Sequence, residues 1–190
     1  MAGESPWAVI GLGNPGERYA RTRHNVGAMV IQRMADRASE RFKAQRRARC
    51  DVAETRVANH KVLLAVPHSY MNESGGPTAA LTQYYSVPTE QLLVIHDEID
   101  LPFAALRLKL GGGDNGHNGL KSIRKSLGTG DWYRLRVGVG RGRGDTAGHV
   151  LTGFSGSERA ELPDLLDRAA DAAEVLLADG LTVAQNRYNS

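Results

Sequence analysis

Three stretches of the chain are continuously apolar: Trp7 to Gly11 (Trp-Ala-Val-Ile-Gly), Val62 to Val66 (Val-Leu-Leu-Ala-Val) and Leu92 to Ile95. Short runs of this kind fit strands covered on both faces of a sheet. Leu106-Arg-Leu-Lys-Leu110 and Leu135-Arg-Val-Gly-Val139 alternate apolar with polar, which predicts strands that expose one face or lie near an edge. Between these runs the period lengthens to that of a helix. Val26, Met29, Val30, Met34 and Ala38 form one amphipathic face, and Leu120, Ile123 and Leu127, closed by Gly128, form another. Ser74 to Tyr85 reads as a third helix, with Pro77 in its first turn and Pro88 beyond its end. Over 158–178, Leu162, Leu165, Leu166, Ala169, Ala173, Leu176 and Leu177 keep one stripe, while Asp164, Asp167, Arg168, Asp171 and Glu174 take the other. The expectation is a single α/β domain over 1–190, with a mixed, mostly parallel twisted sheet flanked by helices. Residues 1–6 read as a loose leader.

With 190 residues, 41% of them hydrophobic, the chain suits one well-buried domain and is short for two. Its single cysteine, Cys50, excludes an internal disulfide framework and fits a reducing compartment, so the expected location is cytoplasmic. No run approaches the roughly 18 apolar residues of a membrane span, and no exposed apolar stripe demands a partner, so a monomer away from membranes is expected. The net charge of +3 conceals an uneven distribution. Arg41, Lys43, Arg46, Arg47 and Arg49 fall together without an acid. Residues 101–143 hold nine Lys or Arg against Asp114 and Asp131, whereas 144–190 hold three basic and eight acidic residues. A basic body of this kind suits a polyanion such as nucleic acid; on charge alone, a merely solvated face fits as well.

The first apolar run leads into GLGNPGERYARTRHNVG (11–27), whose opening fits G-x-G-x-x-G. A dinucleotide loop needs a strand running straight into a helix, and an acid about 20 positions on at a strand end. Here Pro15 and the polar run that follows delay the helix to near Asn25, and Asp36 falls inside it. A cofactor is therefore not expected; the glycines are read as letting the backbone turn sharply and place Asn14 and His24.

In open α/β sheets the loops beyond the carboxyl ends of the strands supply the chemistry. Four such loops are unusually polar: the one carrying Asn14, Tyr19 and His24; Pro-His-Ser-Tyr-Met-Asn (67–72); His96-Asp97-Glu98; and Gly-Gly-Gly-Asp-Asn-Gly-His-Asn-Gly (111–119). Amide, imidazole and carboxylate recur, but Cys50 lies elsewhere and Ser69 lacks a nucleophile elbow, so water is the expected attacker. His24 with Asp97 is the favoured pair, because a carboxylate fixes the tautomer of an imidazole base and stabilises its protonated form. Asparagine amides suit an oxyanion or a peptide-like ligand. Plainer readings stand beside these. Asp97 also fits a helix or turn cap, Asn118 also fits the cap of a helix starting at Gly119, and His60, His68 and His149 read as structural. A metal held by His24, His96, Asp97 and His117 has no recognised ligand spacing and leaves the asparagines unexplained, so none is expected.

Taken together, GLGNPGERYARTRHNVG (11–27), SYMNESG (69–75), HDEIDLPF (96–103), KLGGGDNGHNGLKSI (109–123), RLRVGVGR (134–141) and DGLTVAQNRYN (179–189) closely resemble the bacterial peptidyl-tRNA hydrolase family. The resemblance implies a cofactor-free esterase that releases tRNA from peptidyl-tRNA. It implies His24 as general base, Asp97 as its orienting carboxylate and Asn14 as the residue separating peptidyl from aminoacyl substrates. Asn72 and Asn118 would hold the peptide and the reacting end, Tyr19, Tyr70, Met71, Gly116 and His117 would line the cleft, and Lys109 and Arg136 would contact tRNA phosphate. Lys121, Arg124 and Lys125 would extend that basic surface, and 140–157 would be a mobile cover. The chain departs from the family at Asn115, where a glycine is usual, at Glu73, and in a shorter 140–149 without the customary proline; these bear on substrate range and rate. The alternative function is RNA binding on the same fold without hydrolysis.

Overall fold

Alternate residues of the three apolar runs enter two different cores, and the sheet lies between them. In the computed structural model, which describes residues 4–189, the runs become β1 (Trp7–Gly11), β4 (His60–Pro67) and β5 (Leu92–Glu98), side by side and parallel. Val9, Val62, Leu64, Leu93 and Ile95 pack under α1 (Val26–Arg37) and α5 (Gly156–Asp179). Ala8, Ile10, Leu63, Ala65, Leu92 and Val94 pack under α2 (Gly75–Tyr84) and α3 (Asn118–Leu127). Burial of each such aliphatic side chain contributes about 1.5–3 kcal/mol, so a polar residue on either face of these strands would be costly. Gly128 ends α3 in the left-handed conformation, as expected. The first three residues of the expected leader lie outside the described residues.

The full sheet adds β2 (Lys43–Gln45), β3 (Cys50–Val57), β6 (Leu106–Leu110) and β7 (Tyr133–Gly138) in the order β2-β3-β4-β1-β5-β7-β6. Only β3 and β6 run against the rest, since each pairs antiparallel with its neighbours, so the sheet is mixed and mostly parallel. The hairpin β2–β3 was not anticipated. It occupies the edge beyond β4 and keeps Glu54 and Arg56 exposed while burying Cys50, Val52 and Ala53. Two further helices are α4 (Thr146–Val150) and α6 (Leu181–Tyr188). After α6, Asn189 accepts the Leu108 N–H with its side-chain oxygen at 2.7 Å and covers the edge strand β6, which limits its pairing with other chains. α5 starts earlier than 158 because Ser155 and Glu158 form a capping box.

The chain leaves β1 through α1 toward β4 and leaves β4 through α2 toward β5, so β1 is a switch point and a crevice opens beyond the strand ends. Here the glycines act differently from the sharp turn expected of them. Of Gly11, Gly13 and Gly16, only Gly16 has a positive φ, +91°. A Cβ on Gly11 would lie 2.2 Å from the Gly27 carbonyl oxygen, and one on Gly27 would lie 2.1 Å from that of Ile95. The first turn of α1 therefore rests on the sheet backbone with no side chain between.

We expect Gly27→Ala to destabilise the fold by about 1–3 kcal/mol through overpacking against backbone that cannot yield. Equilibrium unfolding in urea, with an unchanged midpoint as the contrary result, checks this.

Candidate active site

A cleft of about 330 Å³ opens at that crevice, lined among others by Asn14, His24, Met71, Asn72, Asp97, Gly116, His117 and Asn118. Three loops and the end of β5 thus meet; His96, Asp97 and Glu98, expected in a loop, are the last residues of that strand. Tyr19 and Tyr70 are not in the lining; their rings meet edge to face at 6.3 Å, and Tyr70 is 55% exposed. Lys109 stands exposed on β6. Arg136 directs Nε and Nη2 to Glu98 Oε1 at 3.0 and 2.9 Å.

Asp97, 2% exposed at the end of β5, bridges two imidazoles. His24 Nδ1 lies 2.7 Å from Oδ2 and His117 Nε2 lies 2.8 Å from Oδ1. The cap readings of Asp97 and Asn118 give way here: Asp97 caps no helix, and the N-cap of α3 is His117, with Asn118 the first helical residue. His117 Nδ1 accepts the N–H groups of Gly119 and Leu120 at 3.1 and 3.3 Å. That nitrogen must keep its lone pair, so His117 is neutral and donates Nε2–H to Asp97. With both carboxylate oxygens accepting, His24 donates from Nδ1 and its Nε2 is left as an acceptor. Burial alone would raise the Asp97 carboxyl, but its interactions with His117 and His24 outweigh that and hold it net below the usual carboxylate range.

Asn14 is clamped before any ligand arrives. The side chain of Asn25 accepts its N–H and donates to its carbonyl, both at 2.9 Å, and Gly13 leaves room for that amide. The Met71 N–H donates to Asn14 Oδ1 at 2.7 Å, which fixes the amide with its Nδ2 donors left for the cleft. The glycine-rich loop is likewise tied down from outside. Arg134, 2% exposed and stacked 3.9 Å from the Trp132 ring, donates to the carbonyls of Gly113 and Gly130, and Arg124 turns back to the carbonyl of Gly112. Asn25, Arg134 and the 124–112 contact carry no local signature, which is why the sequence did not mark them.

The segment 140–157 contains α4, and Thr146, Ala147, Val150 and Leu151 close one side of the cleft. Arg23, beside the candidate base, donates to the His149 carbonyl, to Thr152 Oγ1 and to Glu158 at 3.1, 2.6 and 2.8 Å. Of the histidines read as structural, His149 donates to the Val139 carbonyl at 3.0 Å, His68 pairs with Asp51 at 2.7 Å and His60 packs against Trp7. A second groove of about 730 Å³ between α2 and α3 shares Asn72 and Asn118 with the cleft and carries Arg49, Lys121 and Lys125 against Glu73.

Among the described residues, the ligand atoms of His24, Asp97 and His117 lie within 4.8 Å of one another. A cation there would have to displace both ring N–H bonds to Asp97, and His117 Nδ1 is already spent on α3, so the donor set suits hydrogen bonding better than a metal. His96 is not in that group. It is 1% exposed, donates Nδ1–H to the Asp97 carbonyl at 2.8 Å, and is pushed by burial down to about 3.

His96 and Asp97 make stability depend on pH in the same sense. Below its ordinary value of 6.5, His96 takes up a proton in the unfolded chain that the folded protein refuses down to about 3; the lowered Asp97 carboxyl likewise favours the unfolded chain in acid. Folding free energy should fall as pH drops below 6.5, by up to about 1.4 kcal/mol per pH unit for each group inside its window. Urea midpoints at pH 7 and 4.5 check this, with a shallower dependence expected for His96→Phe.

A family model described as peptidyl-tRNA hydrolase matches residues 8–190. The peptidyl-tRNA hydrolase of Frankia casuarinae is 56% identical over 190 residues, covering 99% of this chain and 96% of that protein. That of Mycobacterium marinum is 52% identical, covering 97% and 98%. The crystal structure of peptidyl-tRNA hydrolase from Acinetobacter baumannii matches with a TM-score of 0.91 at 32% identity, covering 100% of this chain and 98% of that one. Sequence and fold agree over the whole length: this chain belongs to the peptidyl-tRNA hydrolase family of hydrolases.

Proposed function

We propose that this protein hydrolyses the ester joining the C-terminal carbonyl of a peptide to the 3′ ribose of tRNA, with water as nucleophile and His24 as general base. The observation that carries this reading is the hydrogen bond from His24 Nδ1 to the buried Asp97 carboxylate, which leaves Nε2 as the basic atom in the cleft. Nε2 takes a proton from water as the water oxygen attacks the ester carbonyl. Nδ2 of Asn14, with the amides of Asn72 and Asn118, binds the acyl group and the oxyanion. The tetrahedral intermediate then expels the ribose oxygen, which takes the proton back from His24, leaving a peptide acid and free tRNA. Asp97 holds the imidazole and stabilises its cationic form, and His117 holds Asp97.

Asn72 and Asn118 line both the cleft and the basic groove, so the scissile bond belongs at their junction, with the peptide in the cleft and RNA in the groove. Met71 and Gly116 shape the peptide side, and Tyr19 and Tyr70 offer aromatic faces beside it. Arg49, Lys121 and Lys125 meet phosphates, joined by Lys109 and by Arg136 through the part of its guanidinium that Glu98 does not hold. Residues 140–157 act as a cover that opens for substrate and closes through Arg23. Among the described residues no helix is long and apolar enough to cross a membrane. The protein works as a single chain in the cytoplasm, on peptidyl-tRNA.

Single-turnover hydrolysis of N-acetyl-aminoacyl-tRNA should fall about 10²- to 10⁴-fold in His24→Ala. Tight tRNA binding by the wild type without cleavage would replace the hydrolase reading with RNA binding alone. Lys121→Ala and Lys125→Ala should each weaken tRNA binding and lower the slope of log affinity against log salt by about 0.7–1, read by filter binding.

A further inference from the structure

Asn115 has a φ of +50°, in the left-handed region, where asparagine is one of the few residues other than glycine to settle readily. The chain thus places a polar side chain, not a bare backbone, in the lining of the cleft. Its Nδ2 lies 3.3 Å from Glu98 Oε1, the same oxygen that accepts from Arg136, while Glu98 Oε2 accepts the Asp100 N–H at 3.2 Å. An ionised carboxylate only accepts, so this contact fixes the Asn115 amide with Nδ2 toward Glu98 and leaves Oδ1 as an acceptor. Asn14 is fixed in the opposite sense, because the Met71 N–H takes its Oδ1 and leaves Nδ2 as a donor. One cleft therefore presents a preset donor and a preset acceptor, the complement of a peptide chain, which offers carbonyls and N–H groups in alternation.

We propose that Asn115 is a specificity-determining residue: its Oδ1 accepts an amide N–H of the peptide on the acyl side of the scissile ester. Substrates that lack this N–H, with proline or an N-methyl residue at that place, are disfavoured. The inference rests on the hydrolase reading above and refines the peptide side of the same site.

Two matched substrate pairs test it by single-turnover kinetics: N-acetyl-alanyl-tRNA against its N-methylalanyl analogue, and N-acetyl-alanyl-alanyl-tRNA against the analogue methylated on the penultimate nitrogen. In the wild type, one pair should differ in kcat/KM by about 3- to 10-fold beyond its ratio in Asn115→Gly, the size of one hydrogen bond. The difference should lie in KM more than in kcat. Glycine is the suitable replacement because it keeps the left-handed backbone, and an unchanged urea midpoint verifies this. Ratios identical in wild type and Asn115→Gly for both pairs overturn the assignment while the hydrolase reading stands. Failure of the wild type to cleave any of the four substrates overturns both.

Discussion

The buried carboxylate of Asp97 is the point to which the chemistry of this fold is tied. A charge at 2% exposure survives only where every lone pair that needs a donor finds one, and here both donors are ring nitrogens from opposite sides of the sheet. His24 arrives through the loop after β1 on the α1 face, and His117 through the N-terminus of α3 on the other. Because α3 holds one nitrogen of His117 as an acceptor, His24 is the imidazole that keeps a ring nitrogen for the cleft. A helix end thus decides the division of labour between two chemically identical side chains.

The same arrangement explains the dense support around the site. Asn25 clamps the backbone of Asn14, Arg134 and Arg124 hold carbonyls of the glycine-rich loop, and Arg23 joins the segment after β7 to the turn that bears His24. Each of these is a polar side chain satisfying main-chain groups of a loop or, for Arg23, of the short helix α4. Part of the positive charge is therefore spent on the protein's own main chain. Arg23 and Arg134 are buried, and Arg124 folds back, whereas Lys121 and Lys125 face the α2–α3 groove.

The central strands and the three long amphipathic helices were legible because burial on one or both faces imposes a period that composition cannot disguise. The hairpin β2–β3 was not. Its edge position leaves Lys43, Glu54 and Arg56 in solvent, and the cluster of cations at 41–49 reads as a charged surface before it reads as a strand and a turn. α6 buries only Ala184, too little to set a stripe. At the site, residue types and loop positions brought His24, Asp97, Asn14 and Asn72 together correctly. The choice between His117 and Asn118 as helix cap was closed to the sequence, since both can accept from the helix N–H groups and they are adjacent. Arg23, Asn25 and Arg134 were hidden for another reason: most of their partners are backbone carbonyls and amides, which every residue possesses.

The contact between Gly11, Gly27 and the Ile95 carbonyl has a consequence for how such a protein diverges. The distance between the loop that carries Asn14 and His24 and the strand that carries Asp97 is set by main chain against main chain, with Leu12 N–H on the Ile95 carbonyl and Ala28 N–H on that of Leu12. Aliphatic residues in the cores beneath can then be exchanged for others of similar volume without moving Asn14, His24 or Asp97. The interior thus has freedom to change its side chains, while the two positions that contribute none have no room to gain one.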